Sequence, residues 1–213
     1  METNVSTISH AGLDWSAARV HFRKVDPVLH ALADSMPDPE PSPERPVFES
    51  LARAILGQQL SVKAAATIWG RFADHHGGVP SANGVLDTGQ DVHRSLGVSG
   101  QKHGYLRSLA EHCLDTPSSF EAVNGRTDEE IIADWTRVKG LGRWTVQMHL
   151  MFQLNRPDVF PVDDLGIRRA MEAHCGIPKD SPKSAYEKRA LMWSPFRTAA
   201  CRVLWKSLDN QPK

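Results

Sequence analysis

The sequence predicts an all-α fold, and three observations lead to that prediction. Apolar residues recur at helical spacing along most of the 213 residues, whereas the apolar–polar alternation of strands is scarce. Serine, threonine or aspartate precedes several of these segments, and glycine or proline follows them, as at helix ends. Hydrophobic side chains make up 40% of the chain, which is enough to build a core in one domain or in two small ones.

The first half of the chain contains several predicted helices and a proline-rich connector. Aspartate caps open helices over 14–23 and 26–33, and a proline occupies the first turn of the second helix. Residues 37–43 form a stiff connector, because their alternating prolines cannot continue a helix. A helix with one apolar face covers 48–57, and Ser61 opens the next helix. Two shorter helices follow, over 91–96 and 101–113.

Two helices joined by a glycine turn form a hairpin over about 127–154. A capping box of Thr127 and Glu130 opens the first helix, which we expect to end near Gly140. Arg143 opens the second helix, so the connection is little more than Gly140-Leu141-Gly142. Glycines remove side chains and permit unusual backbone geometries, so successive amides can approach a phosphate. On these residues alone, a plain tight turn that ends a helix is the favoured interpretation.

A pair of aspartates follows the hairpin. After an extended segment at 159–161, a helix begins near Asp163 and Asp164, and the last long helix begins near Pro195. Aspartates at a helix start are normally explained by N-capping and by the helix dipole. From position alone, the pair therefore has an ordinary structural explanation.

Charge and cysteine content limit the classes of function. Lys plus Arg and Asp plus Glu both number 25, so a nucleic acid must be bound by a local basic patch and by backbone amides. The three cysteines lie far apart and the ten histidines lack zinc-site spacing, so we expect no metal or redox cofactor from these residues. Residues 1–12 are polar, unlike a signal peptide, and no apolar run has membrane-helix length. We expect a flexible N-terminus over 1–12, a helical unit over 13–213, and a soluble cytoplasmic monomer without membrane association.

Three separated motifs together resemble those of the helix-hairpin-helix (HhH-GPD) DNA glycosylase superfamily, and within it the DNA-3-methyladenine glycosylase II (AlkA-like) group. The motifs are RAILGQQLS at 53–61 with KAA at 63–65, the hairpin with its aspartate pair, and WSPFRTAA at 193–200. Their order and spacing make the joint match specific, although no single motif would suffice. The resemblance implies a two-lobed helical fold whose early and late helices share a lobe, without the N-terminal sheet domain of larger relatives. It also implies a DNA-repair protein, associated with the nucleoid if the source is bacterial.

The resemblance assigns the catalytic carboxylate to Asp164, with Asp163 capping the helix or fixing the loop. A purine alkylated at N3 or N7 is already cationic, so it leaves without strong acid catalysis. An anion beside the sugar can then stabilise the oxocarbenium ion and can orient or deprotonate water. The expected substrates are 3-methyladenine and 7-methylguanine in double-stranded DNA.

Trp144 occupies the position at which bifunctional members of the superfamily carry a lysine nucleophile. The resemblance therefore implies a monofunctional hydrolase without lyase activity. An oxidised-guanine glycosylase with lyase activity is disfavoured for the same reason. The remaining alternative is a non-catalytic module that binds distorted DNA, and the presence of Asp164 argues against it.

The resemblance also implies a base pocket, a wedge and DNA contacts. A flipped cationic base would stack on an aromatic face, and the pocket residues are Trp144, Met148, Leu165 and Trp193. For the two tryptophans and the methionine, ordinary core packing is the alternative. The wedge loop is Gln58, Gln59, Leu60 and Ser61, in which Gln59 or Leu60 would intrude and Gln58 could contact the opposite strand. A simple helix–helix turn is the alternative for this loop.

Further predicted roles concern phosphates, a cation and one arginine. The phosphate contacts are Lys63, Lys139, Gly140, Gly142, Arg143 and Thr145, and Lys102, Arg168 and Arg169 are weaker candidates. Arg197 opposes the dipole at a helix start, so we expect it to pair with a carboxylate near the active site, and a solvated arginine beside Pro195 is the alternative. Hairpins of this family often hold a Na or K ion, for which the backbone carbonyls would be those of Thr136, Val138 and Leu141.

Overall fold

The computed structural model describes residues 13–40 and 42–209, and all regular secondary structure in these ranges is helical. The predicted fold class is therefore confirmed. The twelve N-terminal residues that we expect to be flexible lie outside the described residues. Within the described ranges, no helix is long and apolar enough to cross a membrane.

The chain divides into two compact units. One, the central unit, is Pro43–His149, and the other, the discontinuous unit, combines Met1–Ser42 with Leu150–Lys213. The early and late helices therefore belong to the same unit.

The central unit consists of seven helices and the start of an eighth in its described part. These are α3 (Val47–Gly57), α4 (Val62–His75), α5 (Ala82–Asp87), α6 (Gln90–Ser95), α7 (Gly100–Asp115), α8 (Ser118–Glu121), α9 (Asp128–Trp135) and the start of α10 (Arg143–Phe152). A short 3-10 helix, Val123–Gly125, precedes α9. The core is formed by fully buried side chains such as Leu51, Ile55, Phe72, Leu106 and Trp135. Each contributes roughly 1.5–3 kcal/mol of hydrophobic free energy relative to exposure.

The discontinuous unit has five helices and the end of α10 in its described part. The five are α1 (Trp15–Val25), α2 (Pro27–Asp34), α11 (Leu165–His174), α12 (Lys183–Ala190) and α13 (Arg197–Asp209). A 3-10 helix, Leu191–Trp193, connects α12 to the segment before α13. Fully buried side chains from both ends of the chain, including Phe22, Leu29, Met171 and Leu204, form its core.

The predicted helix starts are largely confirmed, because they depend on side-chain caps. Asp14, Asp26 and Ser61 each accept a hydrogen bond from an amide of the first turn of their helix. Thr127 and Glu130 form the complete capping box of α9. The sequence pattern predicts no helix at α5, α8 or α12, because these helices are short or mostly polar and have weak apolar periodicity.

Candidate active site

Asp164 is half-buried and forms the N-cap of α11. Its Oδ1 atom accepts hydrogen bonds from the Ile167 amide at 2.8 Å and from the Trp205 indole Nε1 at 2.9 Å. Each donor prefers a direction close to an oxygen lone pair, so the two together restrict rotation of the carboxylate. The start of α11 and a side chain from α13 therefore set the orientation of this group.

Gly166 leaves space for the Asp164–Trp205 pair. A Cβ atom added at Gly166 would lie 3.0 Å from Asp164 Oδ1 and 3.1 Å from Trp205 Cδ1, closer than side chains normally pack. The Trp205 ring stacks on Phe152, with centroids 5.8 Å apart and an interplanar angle of 28°. The Trp205 indole is thus held on one face by the Phe152 ring and at its Nε1 edge by the Asp164 carboxylate.

The neighbours of Asp164 have different environments. Asp163 is exposed and forms an ion pair with Lys183 at the start of α12. The cap of α11 is therefore Asp164 and not Asp163, which instead joins the loop to α12. Leu165 is 60% exposed, so its side chain is accessible to a ligand, as a pocket residue requires.

Arg197 forms the carboxylate pair that its position predicts, and its partner is Asp158. The Arg197 Nε atom donates to Asp158 Oδ1 at 2.8 Å, and Nη2 donates to Oδ2 at 2.9 Å. Ser194 Oγ adds a hydrogen bond of 2.8 Å to Asp158 Oδ2. Burial alone would raise the pKa of the Asp158 carboxyl, but the hydrogen bonds from Arg197 and Ser194 outweigh burial and lower it. The pair is partly buried, with side-chain exposures of 28% and 27%.

Thr198 fixes the same segment to α13. Its hydroxyl donates to the Arg156 carbonyl at 2.6 Å and accepts from the Val159 amide at 3.1 Å. Its own amide donates to the Pro157 carbonyl at 3.0 Å. The WSPFRTAA motif therefore fixes the segment that leads to Asp164.

Trp193 does not form a pocket wall in this structure, so that prediction is wrong. The side chain is fully buried, and its Nε1 atom donates to Asp26 Oδ2 at 2.7 Å. Arg189 Nη2 donates to the same oxygen at 2.6 Å. The buried Asp26 carboxylate needs hydrogen-bond donors, and the Trp193 indole supplies one of them within the core of the discontinuous unit.

The hairpin turn in the central unit is longer than predicted, since α9 ends at Trp135 and α10 begins at Arg143. Val138 and Leu141 are nearly completely buried in the turn, and the Leu141 amide donates to the Val138 carbonyl at 3.1 Å. Gly140 has a φ of 89°, and an added Cβ would overlap the Tyr105 ring. Glycine is therefore required at 140 for both conformation and space.

The residues predicted to contact phosphate lie mostly at the surface of this hairpin. Lys139, Gly142 and Arg143 are exposed, and Thr145 is half-buried. Arg143 forms an ion pair with Glu129 of α9, which partly compensates its charge. Thr136 is exposed, and its hydroxyl donates to the Ile132 carbonyl at 2.7 Å.

Trp144 and Met148 lie one turn apart on α10. Trp144 is 47% exposed, which is unusual for so large an apolar side chain, whereas Met148 is half-buried. An exposed indole on this helix can present a ring to a ligand.

In the wedge loop between α3 and α4, Gln58 is half-buried, and Gln59, Leu60 and Ser61 are exposed. Lys63, in the first turn of α4, is exposed as well. The Gln58 side-chain amide donates to the Gly140 carbonyl at 2.8 Å. This bond uses one N–H group of the amide, and the contact of Gln58 with the opposite DNA strand stays a prediction. Lys102, a weaker phosphate candidate, likewise donates to the carbonyls of Leu56 and Gln58, at 2.7 Å and 2.8 Å.

Sequence reasoning missed Trp205, Gly166, Asp158 and Thr198. Their contacts join residues about forty positions apart, as in the Trp205–Asp164 and Arg197–Asp158 pairs. Among these contacts, only the Arg197–Asp158 pair has a local signal in the sequence. An arginine at a helix start predicts a carboxylate partner, but it does not indicate which carboxylate.

Comparison with known proteins gives concordant results. The family model described as HhH-GPD superfamily base excision DNA repair protein matches residues 52–195. DNA-3-methyladenine glycosylase 1 of Schizosaccharomyces pombe is 40% identical over 164 residues, which cover 75% of this chain and 72% of that protein.

Two solved structures share the fold over nearly the whole chain. The 3-methyladenine DNA glycosylase Mag1 of S. pombe in complex with abasic DNA has a TM-score of 0.76 and 34% identity, covering 92% of this chain and 100% of that one. A DNA-3-methyladenine glycosidase of Bacillus halodurans has a TM-score of 0.81 and 30% identity, covering 90% and 88%. This chain therefore belongs to the helix-hairpin-helix (HhH-GPD) superfamily of base excision DNA repair proteins.

Proposed function

We propose that this protein is a monofunctional DNA glycosylase of the 3-methyladenine II type, which hydrolyses the N-glycosidic bond of alkylated bases in double-stranded DNA. The observation that supports the proposal most directly is Asp164, a half-buried carboxylate oriented by two donors on one oxygen. The relatives named above as 3-methyladenine glycosylases support the same substrate class. A monomer suffices for this chemistry.

The chemical role of Asp164 is electrostatic. Alkylation at N3 or N7 makes the purine a good leaving group, so positive charge develops mainly on the sugar as the glycosidic bond breaks. A carboxylate whose orientation is already fixed stabilises that charge without reorganising during the reaction. Water then adds to the sugar, and the carboxylate orients it or accepts its proton. The product is an abasic site.

Trp144 is the second part of the proposal. Its exposed ring offers an electron-rich face, which favours a cationic base over a neutral one. Met148, one turn further along α10, adds an apolar side chain in the central unit, and the exposed Leu165 adds one next to Asp164 in the discontinuous unit. An indole has no nucleophilic amine, so no Schiff base with the sugar forms at this position. Borohydride treatment during turnover is therefore expected to trap no covalent protein–DNA product.

DNA is held by the hairpin turn and the start of α10, where Lys139, Gly142 and Arg143 are exposed and Thr145 is half-buried. Lys63, exposed in the first turn of α4, adds a further cation. A Na or K ion would be bound by the carbonyls of Thr136, Val138 and Leu141. Uncharged carbonyl oxygens suit a hard monovalent cation, and the 3.1 Å Leu141–Val138 hydrogen bond closes the turn that presents them.

The test of Asp164 is the Asp164→Asn variant. Asparagine is as good an N-cap as aspartate, and its carbonyl can accept from both Ile167 and Trp205, so the fold is retained while the charge is removed. We expect normal DNA affinity and a loss of roughly 100-fold or more in single-turnover release of 7-methylguanine from duplex DNA. Asp163→Asn gives the contrast, since that carboxylate pairs with Lys183. Near-normal excision by Asp164→Asn would refute the assignment.

The alternative function is a module that binds distorted DNA without excising the base. Incubation of the purified protein with methylated duplex DNA separates the two. Release of free 3-methyladenine supports the enzyme, whereas binding without release supports the module. A panel of lesions that includes hypoxanthine and 3-methylcytosine then defines the substrate range.

A further inference from the structure

The helix α7 supports the wedge loop and the hairpin turn together. Lys102, Tyr105 and Ser108 lie three residues apart along α7 and are all half-buried. Residues at this spacing lie on one side of a helix. Lys102 contacts the wedge loop, whereas Tyr105 and Ser108 contact the hairpin turn. One helix face thus positions two segments that are far apart in sequence.

Lys102 holds the wedge loop through its main chain. Its Nζ atom donates to the carbonyls of Leu56 and Gln58, at 2.7 Å and 2.8 Å. These carbonyls lie at the C-terminal end of α3, where helix carbonyls lack intrahelical partners and attract a cation. Burial lowers the pKa of the Lys102 ammonium, as expected for a group withdrawn from water.

Gln59, which follows Gln58 in the wedge loop, has a strained backbone. Gln59 has a φ of 58°, in the left-handed region that residues other than glycine rarely adopt. Such a conformation persists only where the surroundings impose it. Here the flanking main chain is fixed by Lys102 on one side and by the Leu60 amide, which donates to the Gly57 carbonyl at 3.2 Å, on the other.

Tyr105 and Ser108 hold the hairpin turn. The Ser108 hydroxyl accepts a hydrogen bond of 3.1 Å from the Lys139 amide. The Tyr105 ring lies against Gly140, so closely that a Cβ at that position would overlap it. The Gln58 side chain then connects the two loops directly, by its 2.8 Å hydrogen bond to the Gly140 carbonyl.

We propose that Gln58, Lys102, Tyr105 and Ser108 form an α7 support network, which fixes the wedge side chains at Gln59 and Leu60 relative to the phosphate-binding amides of the hairpin turn. The inference depends on the proposed function, because it concerns the step in which the damaged nucleotide leaves the duplex. With a phosphate bound at the turn, the network sets where the wedge enters the stack. Its members are positioning residues and do not contact the reacting atoms.

If the network positions the wedge, its loss affects excision from duplex DNA and from single-stranded DNA differently. A general loss of protein stability would affect both substrates equally. A base in duplex DNA must be unstacked and unpaired before excision, at a cost that is small for a base in a single strand. A misplaced wedge therefore slows excision from duplex DNA and leaves excision from single-stranded DNA nearly unchanged.

The experiment measures single-turnover release of 7-methylguanine from one oligonucleotide, as a single strand and paired with its complement. For Lys102→Met and Gln58→Leu we expect the duplex rate constant to fall about 10-fold or more, and the single-strand rate constant to change less than about 3-fold. Lys102→Arg, which keeps the charge and the donors, is expected to restore most of the duplex rate. Lys188→Met, on the exposed surface of α12, is the matched control.

Each outcome decides the proposal. Equal losses on both substrates, or no loss on the duplex, would overturn it. If Lys102→Met lowers the melting temperature strongly, Gln58→Leu decides, since it removes one hydrogen bond from a half-buried side chain. Failure of the wild-type protein to release base from either substrate would instead refute the proposed function.

Discussion

Asp164 combines a structural and a chemical role at one residue. The oxygen that caps α11 by accepting the Ile167 amide also accepts the Trp205 indole. The sequence offered N-capping as the alternative to catalysis, but one side chain can do both. Capping places the carboxylate at a helix start with a defined orientation, which is what electrostatic stabilisation of a sugar cation needs. The resemblance selected Asp164 over Asp163, and the ion pair of Asp163 with Lys183 is compatible with that choice.

The first prediction concerns the indole donor of Trp205. Trp205→Phe keeps a ring to stack on Phe152 but removes the N–H group that binds Asp164. A hydrogen bond to a charged group contributes about 1.5–3 kcal/mol, so single-turnover excision is expected to fall roughly 10-fold or more. DNA affinity is expected to stay within a few-fold of the wild type.

The effect of Trp205 should depend on the charge at 164. In the Asp164→Asn background, Trp205→Phe is expected to cause little further loss, because the two residues act through one group. An equal fold-loss in both backgrounds would show that Trp205 acts independently of the carboxylate. Trp15→Phe, in α1 of the same unit, controls for the loss of an indole elsewhere.

At the scale of elements, the sequence predicted helix starts better than helix ends. The capping box of α9 is a local signal, since both partners lie within one turn. The apolar pattern predicts the end of α9 too late, because Val138 continues that pattern although it belongs to the turn. A buried turn residue satisfies the same periodicity as a buried helical one, so apolar spacing does not distinguish them. The polar sequence of α12 gave no apolar stripe from which to predict a helix.

The attachment of residues 156–159 to α13 leads to a prediction about pH. Asp158→Asn removes the charged partner of Arg197 and is expected to lower the free energy of unfolding by about 1–3 kcal/mol at pH 7. The pKa of Asp158 in the folded state lies below its unfolded value of about 3.9. Its contribution is therefore fully present above about pH 4 and is lost as the pH falls through the folded pKa.

Urea unfolding at pH 7 and near pH 3 measures this contribution. The difference in unfolding free energy between the wild type and Asp158→Asn is expected to shrink at the lower pH. A difference that does not change with pH would mean that the ion pair contributes nothing beyond packing. Asp91→Asn is the control, since the Asp91 side chain is 96% exposed.

At the scale of the whole molecule, the two units are interleaved in sequence. The discontinuous unit contains hydrogen bonds between residues from opposite ends of the chain, such as Arg189 with Asp26 and His21 with the Met192 carbonyl. Periodicity and caps are local, so they predict helices without predicting which helices share a core. Grouping the early and late helices in one lobe came from the family resemblance and not from local patterns.

The zero net charge leads to the last prediction, which concerns DNA binding. Without an overall positive charge, affinity for the phosphate backbone must come from a few local cations, and Lys139 is exposed beside the turn amides. Each phosphate neutralised contributes about 0.9 to the slope of log affinity against log salt. Lys139→Gln is therefore expected to weaken binding of undamaged duplex DNA at low salt and to reduce that slope by about one. Fluorescence anisotropy over a salt series measures both quantities, with Lys188→Gln as a charge-matched control. An unchanged slope for Lys139→Gln would place the phosphate contact elsewhere on the chain, because counterion release reports the number of contacts and does not depend on base sequence.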